Sequence, residues 1–286
     1  MDKKILTIQD ISCVGQCSLT VALPVISACG LETAVLPSSV LSTHTAGFTG
    51  YTFRDLTDDM PSILNHWKKE DIKFDAFYTG YVSKSQIPCI LDIMEQTSNA
   101  GAFRIVDPVM ADNGKMYPGF DLDFPKEMAK LCDGATVILP NLTEASFLLD
   151  IPYAGDNRNG KDYNPKYIED VLDKLMSLGC KNVVLTGVSY EPGELGCACY
   201  DGRKIEYYFN TRLDAQVHGT GDVFASSFTG AFCCGNSILD CAALAADFVV
   251  ESMKMTLDDK DHWYGVKFEK ALPWLVERMK KMQNLF

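Results

Sequence analysis

"HGTGDVFASS", His218 to Ser227, sets two glycines around a threonine, then one aspartate, then a run of small and apolar residues. Glycine adopts backbone angles closed to other residues and carries no Cβ to hold a ligand away. A helix opening near Thr220–Asp222 leaves its first N–H groups unpaired and turns the positive end of its dipole toward the turn. An anion suits such a place. Asp222 then has two readings. It could simply cap the helix, a common duty for aspartate. Capping does not account for the glycines, however, and the apolar run behind them predicts burial, where an idle carboxylate is costly. An acid beside an anion-binding turn suits phosphoryl transfer. The carboxylate accepts the proton of an attacking hydroxyl, while the amides stabilise charge on the moving group.

Working outward, short β-rich apolar runs alternate with helical patterns, the rhythm of a parallel sheet covered on both faces. Strands are predicted at 4–9, 32–37, 74–80, 103–108, 135–140 and 182–187, and helices near 18–29, 57–69, 84–99, 122–132, 141–149 and 165–178. After 187 the pattern changes: "LGCACYDGRKIEYYF" reads as a hairpin turning near Asp201-Gly202. Helices are predicted near 220–234, 237–254 and 267–282. With no repeat and no convincing linker, residues 1–286 are expected to form one α/β domain, a three-layer sandwich with a mostly parallel central sheet.

Composition bounds the function. Among 286 residues, 47% are apolar and 22% charged, enough apolar material for a large core and no signature of disorder. With 26 basic against 38 acidic residues, the net charge of −12 argues against nucleic acid as the main partner. Eleven cysteines without a CxxC pair argue against a zinc ribbon and read as mostly buried thiols of a reducing cytoplasm. No signal peptide is expected. The uncharged run Ile11–Leu31 is long enough to raise the membrane question, but Gly15, Gln16 and Pro24 favour a loop and a buried helix.

"GDNRNGKD", 155–162, approaches the phosphate-loop pattern but fails it. Asp162 stands where a hydroxyl should hold magnesium, no strand precedes it, and no helix opens after it. Other strand ends are richer. Asp107 closes an apolar strand before Pro108. Asn141 and Glu144 open a helix after another strand, either as an N-cap with dipole complementarity or, with Asp107, as an oxygen set that positions magnesium. Thr186 could reach a phosphate or be an ordinary strand-end threonine. His218 reads as a loop histidine, His66 and His262 as surface residues, and Met279 and Met282 as core or interface.

Taken in order, "TIQDISCVGQ", "SVLSTHTAGF", "TGYVSKSQ", "VDPVMADNGKMY", "LPNLTEASFL" and "HGTGDVFASS" resemble the ribokinase-like superfamily, most closely the pyridoxal (pyridoxamine) kinases, from about Ile5 to Glu251. The resemblance implies ATP-dependent phosphorylation of a primary hydroxymethyl group on a B6 vitamer. It makes Asp222 the base and the backbone of Gly219, Thr220 and Gly221 the anion hole. It places Asp107, Asn141 and Glu144 near magnesium and the ATP phosphates, with Asp107 and Glu144 as the metal side chains. Thr186 becomes a phosphate contact and Asp112 part of a flap. His44, Thr45, Tyr81 and Cys17 would line the ring pocket. It also implies a homodimer and use of a potassium ion. One departure stands out: Asp10 occupies a position where the family commonly has serine. An ionised Asp10 can only accept hydrogen bonds, so it favours a protonated ring nitrogen or a ring amine. That keeps hydroxymethylpyrimidine open as an alternative substrate, unless Asp10 turns away to cap the helix near Ser18. A catalytically silent vitamer-binding protein is a further alternative.

Overall fold

The computed structural model describes residues 3–213, 215, 217–259 and 261–283. In chain order its first elements are β1 (Lys4–Ser12), α1 (Leu19–Ala28), β2 (Glu32–Leu41), β3 (Phe53–Asp55), α2 (Met60–Lys69), β4 (Phe74–Thr79), α3 (Ile87–Thr97) and β5 (Ser98–Val106). Then come β6 (Ala111–Asp112), β7 (Lys115–Met116), α4 (Phe124–Cys132), β8 (Val137–Ile138), α5 (Leu142–Leu148), α6 (Pro165–Met176), β9 (Val183–Val188), β10 (Glu194–Tyr200) and β11 (Ile205–Thr211). Three helices close the chain: α7 (Thr220–Cys233), α8 (Ile238–Lys254) and α9 (Phe268–Met282). The chain forms two compact units, Met1–Phe103 with Asp214–Phe286, and Arg104–Leu213. The boundary falls inside β5.

In the first unit β1 lies between β2 and β4 and pairs with both in parallel, while β3 adds an antiparallel edge to β2. β1 is buried along most of its length, as an interior parallel strand must be. Its pairing with β2 breaks at one place. Gln9 faces Pro37 but Ile11 faces Val40, so Asp10 stands opposite two residues, Ser38 and Ser39. Helix α1 packs on β1 and β2, α7 packs on α1 and α8, and α8 packs on α9. Nine of the fourteen residues of α7 are buried, including Phe228. A fully buried side chain of that kind stabilises the fold by roughly 1.5–3 kcal/mol.

In the second unit β5, β8 and β9 run parallel, and β9, β10 and β11 form an antiparallel meander. Helices α5 and α6 pack on β9. The expected hairpin at 195–209 is β10–β11. Besides the edge strand β3 of the first unit, two features went unforeseen. Residues 98–99, expected to be helical, already belong to β5, where Asn99 Nδ2 donates to Asp75. A small ribbon, β6–β7, turns through Asn113 and Gly114, both at positive φ, the backbone that an Asn-Gly pair favours. Segment 155–162 is irregular, with its next helix starting only at Pro165. It is tied to the rest of its unit by the buried Asn157, whose side chain donates to the carbonyls of Tyr163 and Ser189.

The eleven cysteines are all free thiols, and seven are buried. Among the described residues no helix is long and apolar enough to cross a membrane. The uncharged run from Ile11 divides into the end of β1, a loop and α1.

Candidate active site

The turn before α7 is built as the glycines suggested, but the two differ in kind. Gly219 is the N-cap of α7 in the left-handed conformation, φ 82°. A Cβ there would fall 2.0 Å from the carbonyl oxygen of Gln16. The fold itself therefore requires this glycine. At Gly221 an added Cβ meets nothing within 4 Å, and the residue is exposed. No neighbour in the chain explains a glycine in the first turn of a long helix, where it costs about 1 kcal/mol against alanine. Open space beside unpaired helix amides is what an incoming anion needs.

Asp222 follows at the third position of α7, partly open to solvent. Burial raises its carboxyl from 3.8 to about 7, and the nearby charge of Asp10 pushes the same way. The Ser18 amide and the Cys17 thiol hydrogen-bond to it and favour the ionised form. Asp10 is buried at 4% exposure. Burial raises its carboxyl too, against hydrogen bonds from Ser18 and Ser12 that lower it; Ser12 Oγ donates to Asp10 Oδ2 at 2.8 Å. Cys17, next to both acids, is pushed far up by burial and then by the two charges. Its thiol stays protonated and serves as a small donor, not a nucleophile.

His44 is buried with both ring nitrogens engaged. The Ala46 N–H donates to Nδ1 at 3.2 Å, which makes Nε2 the donor to the Tyr264 carbonyl at 2.6 Å. The ring is a wall, not a proton carrier. Phe48 lies edge-on at 5.0 Å from it and His218 tilted at 5.6 Å. Thr45, half-buried, is next in the chain. Tyr81 accepts the Ser38 hydroxyl on its carbonyl, and burial with the charge of Asp10 lifts its phenol to about 12. The first unit thus brings together Asp10, Cys17, Tyr81 and Asp222, with His44 beside Asp10. Sequence reasoning missed Phe48, Tyr264 and Ser18. It also treated His262 as a surface residue, yet that ring is half-buried and packs 4.3 Å from Tyr264. Phe48 stands 4.7 Å from Trp263, joining the two segments.

In the second unit Asp107 directly follows β5 and is buried. Asn141 caps α5 and Glu144 closes a capping box with it. Glu144 Oε1 accepts the Met110 amide at 3.1 Å, Oε2 accepts the Asn141 amide at 2.9 Å, and Asn141 Nδ2 donates to the Ala111 carbonyl. Burial raises the Glu144 carboxyl above its usual range despite these amides, and the charge of Asp112 adds to the rise. Asp112 is exposed on β6, accepting from the Asn113 amide. Thr186 bridges Asn141, its amide donating to the Pro140 carbonyl at 2.9 Å. Asp107, Asp112, Asn141, Glu144 and Thr186 all belong to this unit, and the capping box ties Asn141 to Glu144.

Among the described residues no three His, Cys, Asp or Glu side chains gather closely enough to hold a bare metal ion. Magnesium does not require such a cage. It keeps several waters and takes one or two carboxylates together with substrate phosphates. The oxygen chemistry of Asp107 and Glu144 fits that mode.

A mostly parallel sheet flanked by helices, with a glycine turn and an acid opening a buried helix, defines a kinase of the ribokinase-like superfamily. Residues 33–266 match the family described as phosphomethylpyrimidine kinase, and the chain belongs to that family. It is 35% identical to a protein from Bacteroides thetaiotaomicron described as a phosphomethylpyrimidine kinase, whose crystal structure with pyridoxal covers 96% of both chains at a TM-score of 0.88. The pyridoxal kinase of Lactobacillus plantarum is 31% identical, covers 98% of both chains and superposes at a TM-score of 0.86. A pyridoxine kinase of Bacillus subtilis is 29% identical over 65% of this chain and 66% of its own length, so the match spans just under two thirds of that relative.

Proposed function

We propose that the chain transfers the γ-phosphoryl group of ATP to the hydroxymethyl group of a B6 vitamer: pyridoxal, pyridoxamine or pyridoxine. The observation that carries this is the pairing of Gly221, whose missing side chain meets nothing in the protein, with Asp222, a carboxyl poised near neutrality one residue on. The amides of Gly219, Thr220 and Gly221 hold the migrating group and stabilise its charge. Asp222 takes the proton of the substrate hydroxyl as its oxygen attacks phosphorus; the bond to the ADP oxygen breaks and ADP departs. Asp10, Cys17, His44, Thr45 and Tyr81 hold the ring. Asp107, Asp112, Asn141, Glu144 and Thr186 handle the nucleotide phosphates. Asp107 and Glu144 are the side chains that would hold a magnesium ion, which would supply neutralisation of phosphate charge.

The two compact units act as one kinase domain, so thermal unfolding should show a single transition for both. The enzyme works as a cytoplasmic homodimer and uses potassium alongside magnesium. Light scattering and an ion series check the assembly and the monovalent requirement.

A second reading, hydroxymethylpyrimidine as substrate, is favoured by Asp10, since a buried carboxylate accepts readily from a ring amine. A panel of the three vitamers and the pyrimidine, compared by kcat/KM with ATP and magnesium, separates the two. Highest values with a vitamer support the first reading, and highest values with the pyrimidine support the second. No ATP consumption with any of them would make the chain a binding protein.

A further inference from the structure

A buried acid, Asp10, and a partly buried one, Asp222, lie together in the first unit, yet only one is needed to accept a proton. We propose that Asp10 is a positioning residue for Asp222: its carboxylate, aimed by a break in strand pairing and gripped by Ser12 and Ser18, sets how tightly Asp222 holds its proton. This rests on the reading of Asp222 as the base.

The local geometry is specific. Asp10 sits where the β1–β2 register slips, opposite Ser38 and Ser39. Irregularities of this kind re-aim a side chain and gather near active sites. The Ser12 hydroxyl, 2.8 Å away, fixes one oxygen of Asp10. Ser18 supplies the other grip. It is buried at φ 55°, ψ −130°, a conformation that costs a non-glycine residue about 1–3 kcal/mol. It is the N-cap of α1, where serine normally turns its oxygen to the helix amides, but it makes no such bond. Its hydroxyl serves Asp10 and its amide serves Asp222. One strained residue therefore spans both acids.

Coupled acids in unequal surroundings titrate in sequence. Asp10 has the hydroxyls of Ser12 and Ser18 and its own amide favouring its charge, whereas Asp222 has one amide and the Cys17 thiol. On this inference Asp10, with more donors to its oxygens, is the acid that carries the charge first. Its charge then holds the proton on Asp222 until near-neutral pH, which makes Asp222 a stronger base when it does ionise. Cys17 stays a thiol beside both, and the phenol of Tyr81, also facing Asp10, stays protonated.

The test is the pH dependence of kcat at saturating ATP and vitamer. In Asp10→Asn the acid limb should move about one unit lower, the size expected when a neighbouring charge is removed. Ser18→Ala should move it the same way by less, because Asp10 loses a donor and stays neutral to higher pH. An altered ring grip would appear in KM and leave the limb in place. A folded Asp10→Asn with the wild-type limb overturns the inference; should that variant fail to fold, an unmoved or raised limb in Ser18→Ala does so. Asp222→Asn separates the two failures. Wild-type turnover there sinks the base reading itself, whereas a dead Asp222→Asn with unmoved limbs in the other variants sinks only the role of Asp10.

Discussion

Asp222 and Glu144 occupy the same place in their helices, the third residue after the cap, and both carboxyls are raised by burial. Their surroundings make them opposites. The cap before Glu144 is Asn141, whose side chain bonds the Glu144 amide while Glu144 reaches back to the Asn141 amide. With Met110 donating as well, each oxygen of Glu144 carries one backbone bond, and only its remaining lone pairs are left for a water of a magnesium shell. The cap before Asp222 is Gly219, which has no side chain to reciprocate. Asp222 is therefore left to one amide, a thiol and the field of a second acid, with an open glycine beside it. One cap residue decides whether a first-turn acid is anchored to the backbone or left able to take a proton.

The strongest way to break this contrast is Asp222→Asn. Turnover should fall about 10²–10⁴-fold with KM values little changed, the usual worth of a general base. Steady-state kinetics at fixed magnesium measure it, and normal turnover would make Asp222 a cap only. The complementary change, Glu144→Ala, should act on stability. It strands the Met110 and Asn141 amides, at about 1–3 kcal/mol for each buried donor left unpaired. Denaturant midpoints would show it, and an unchanged midpoint would remove Glu144 from the framework.

The glycines sharpen the comparison. Gly221→Ala should leave the melting temperature unchanged or slightly raised, since its Cβ meets nothing, yet cut activity at least ~10-fold by filling anion space. Gly219→Ala should lower the melting temperature, because φ 82° and the Gln16 carbonyl both oppose a Cβ. If the two variants behaved alike, the division between a glycine for the fold and a glycine for the ligand would fall.

The smallest effect is a pH dependence of stability. Asp222 ionises near 3.8 unfolded and about 7 folded, so the unfolded chain loses this proton first. Its contribution to stability is fully present below 3.8 and is lost as pH rises through 7. Asp222→Asn should thus melt a few degrees above the parent protein at pH 8, roughly 2–4 °C for each kcal/mol relieved. The difference should close near pH 4. Partial exposure of Asp222 limits its size.

Most of the fold was legible because hydrophobic period and turn chemistry are local. The predicted strands and the three closing helices lie within a few residues of those observed. β3 and the start of β5 were not, because three exposed residues and a helix that passes straight into a strand leave little pattern to read. The β6–β7 ribbon had its signal in Asn113-Gly114, which went unused. In the site, the turn and Asp222 were legible from glycine spacing. Ser18 was not: nothing in "CSLT" announces a left-handed serine that serves two acids.

From the amino-acid order alone came the α/β class, a turn before a buried helix that invites an anion, and the acids to watch, since all follow from side-chain type and spacing along a few residues. Which acid is free, which glycine faces a neighbour and which faces open space, and how Asp10 comes beside Asp222 were settled only on folding. Those depend on contacts between distant stretches, such as the Gln16 carbonyl against Gly219, and on a slip in strand register that no local pattern encodes.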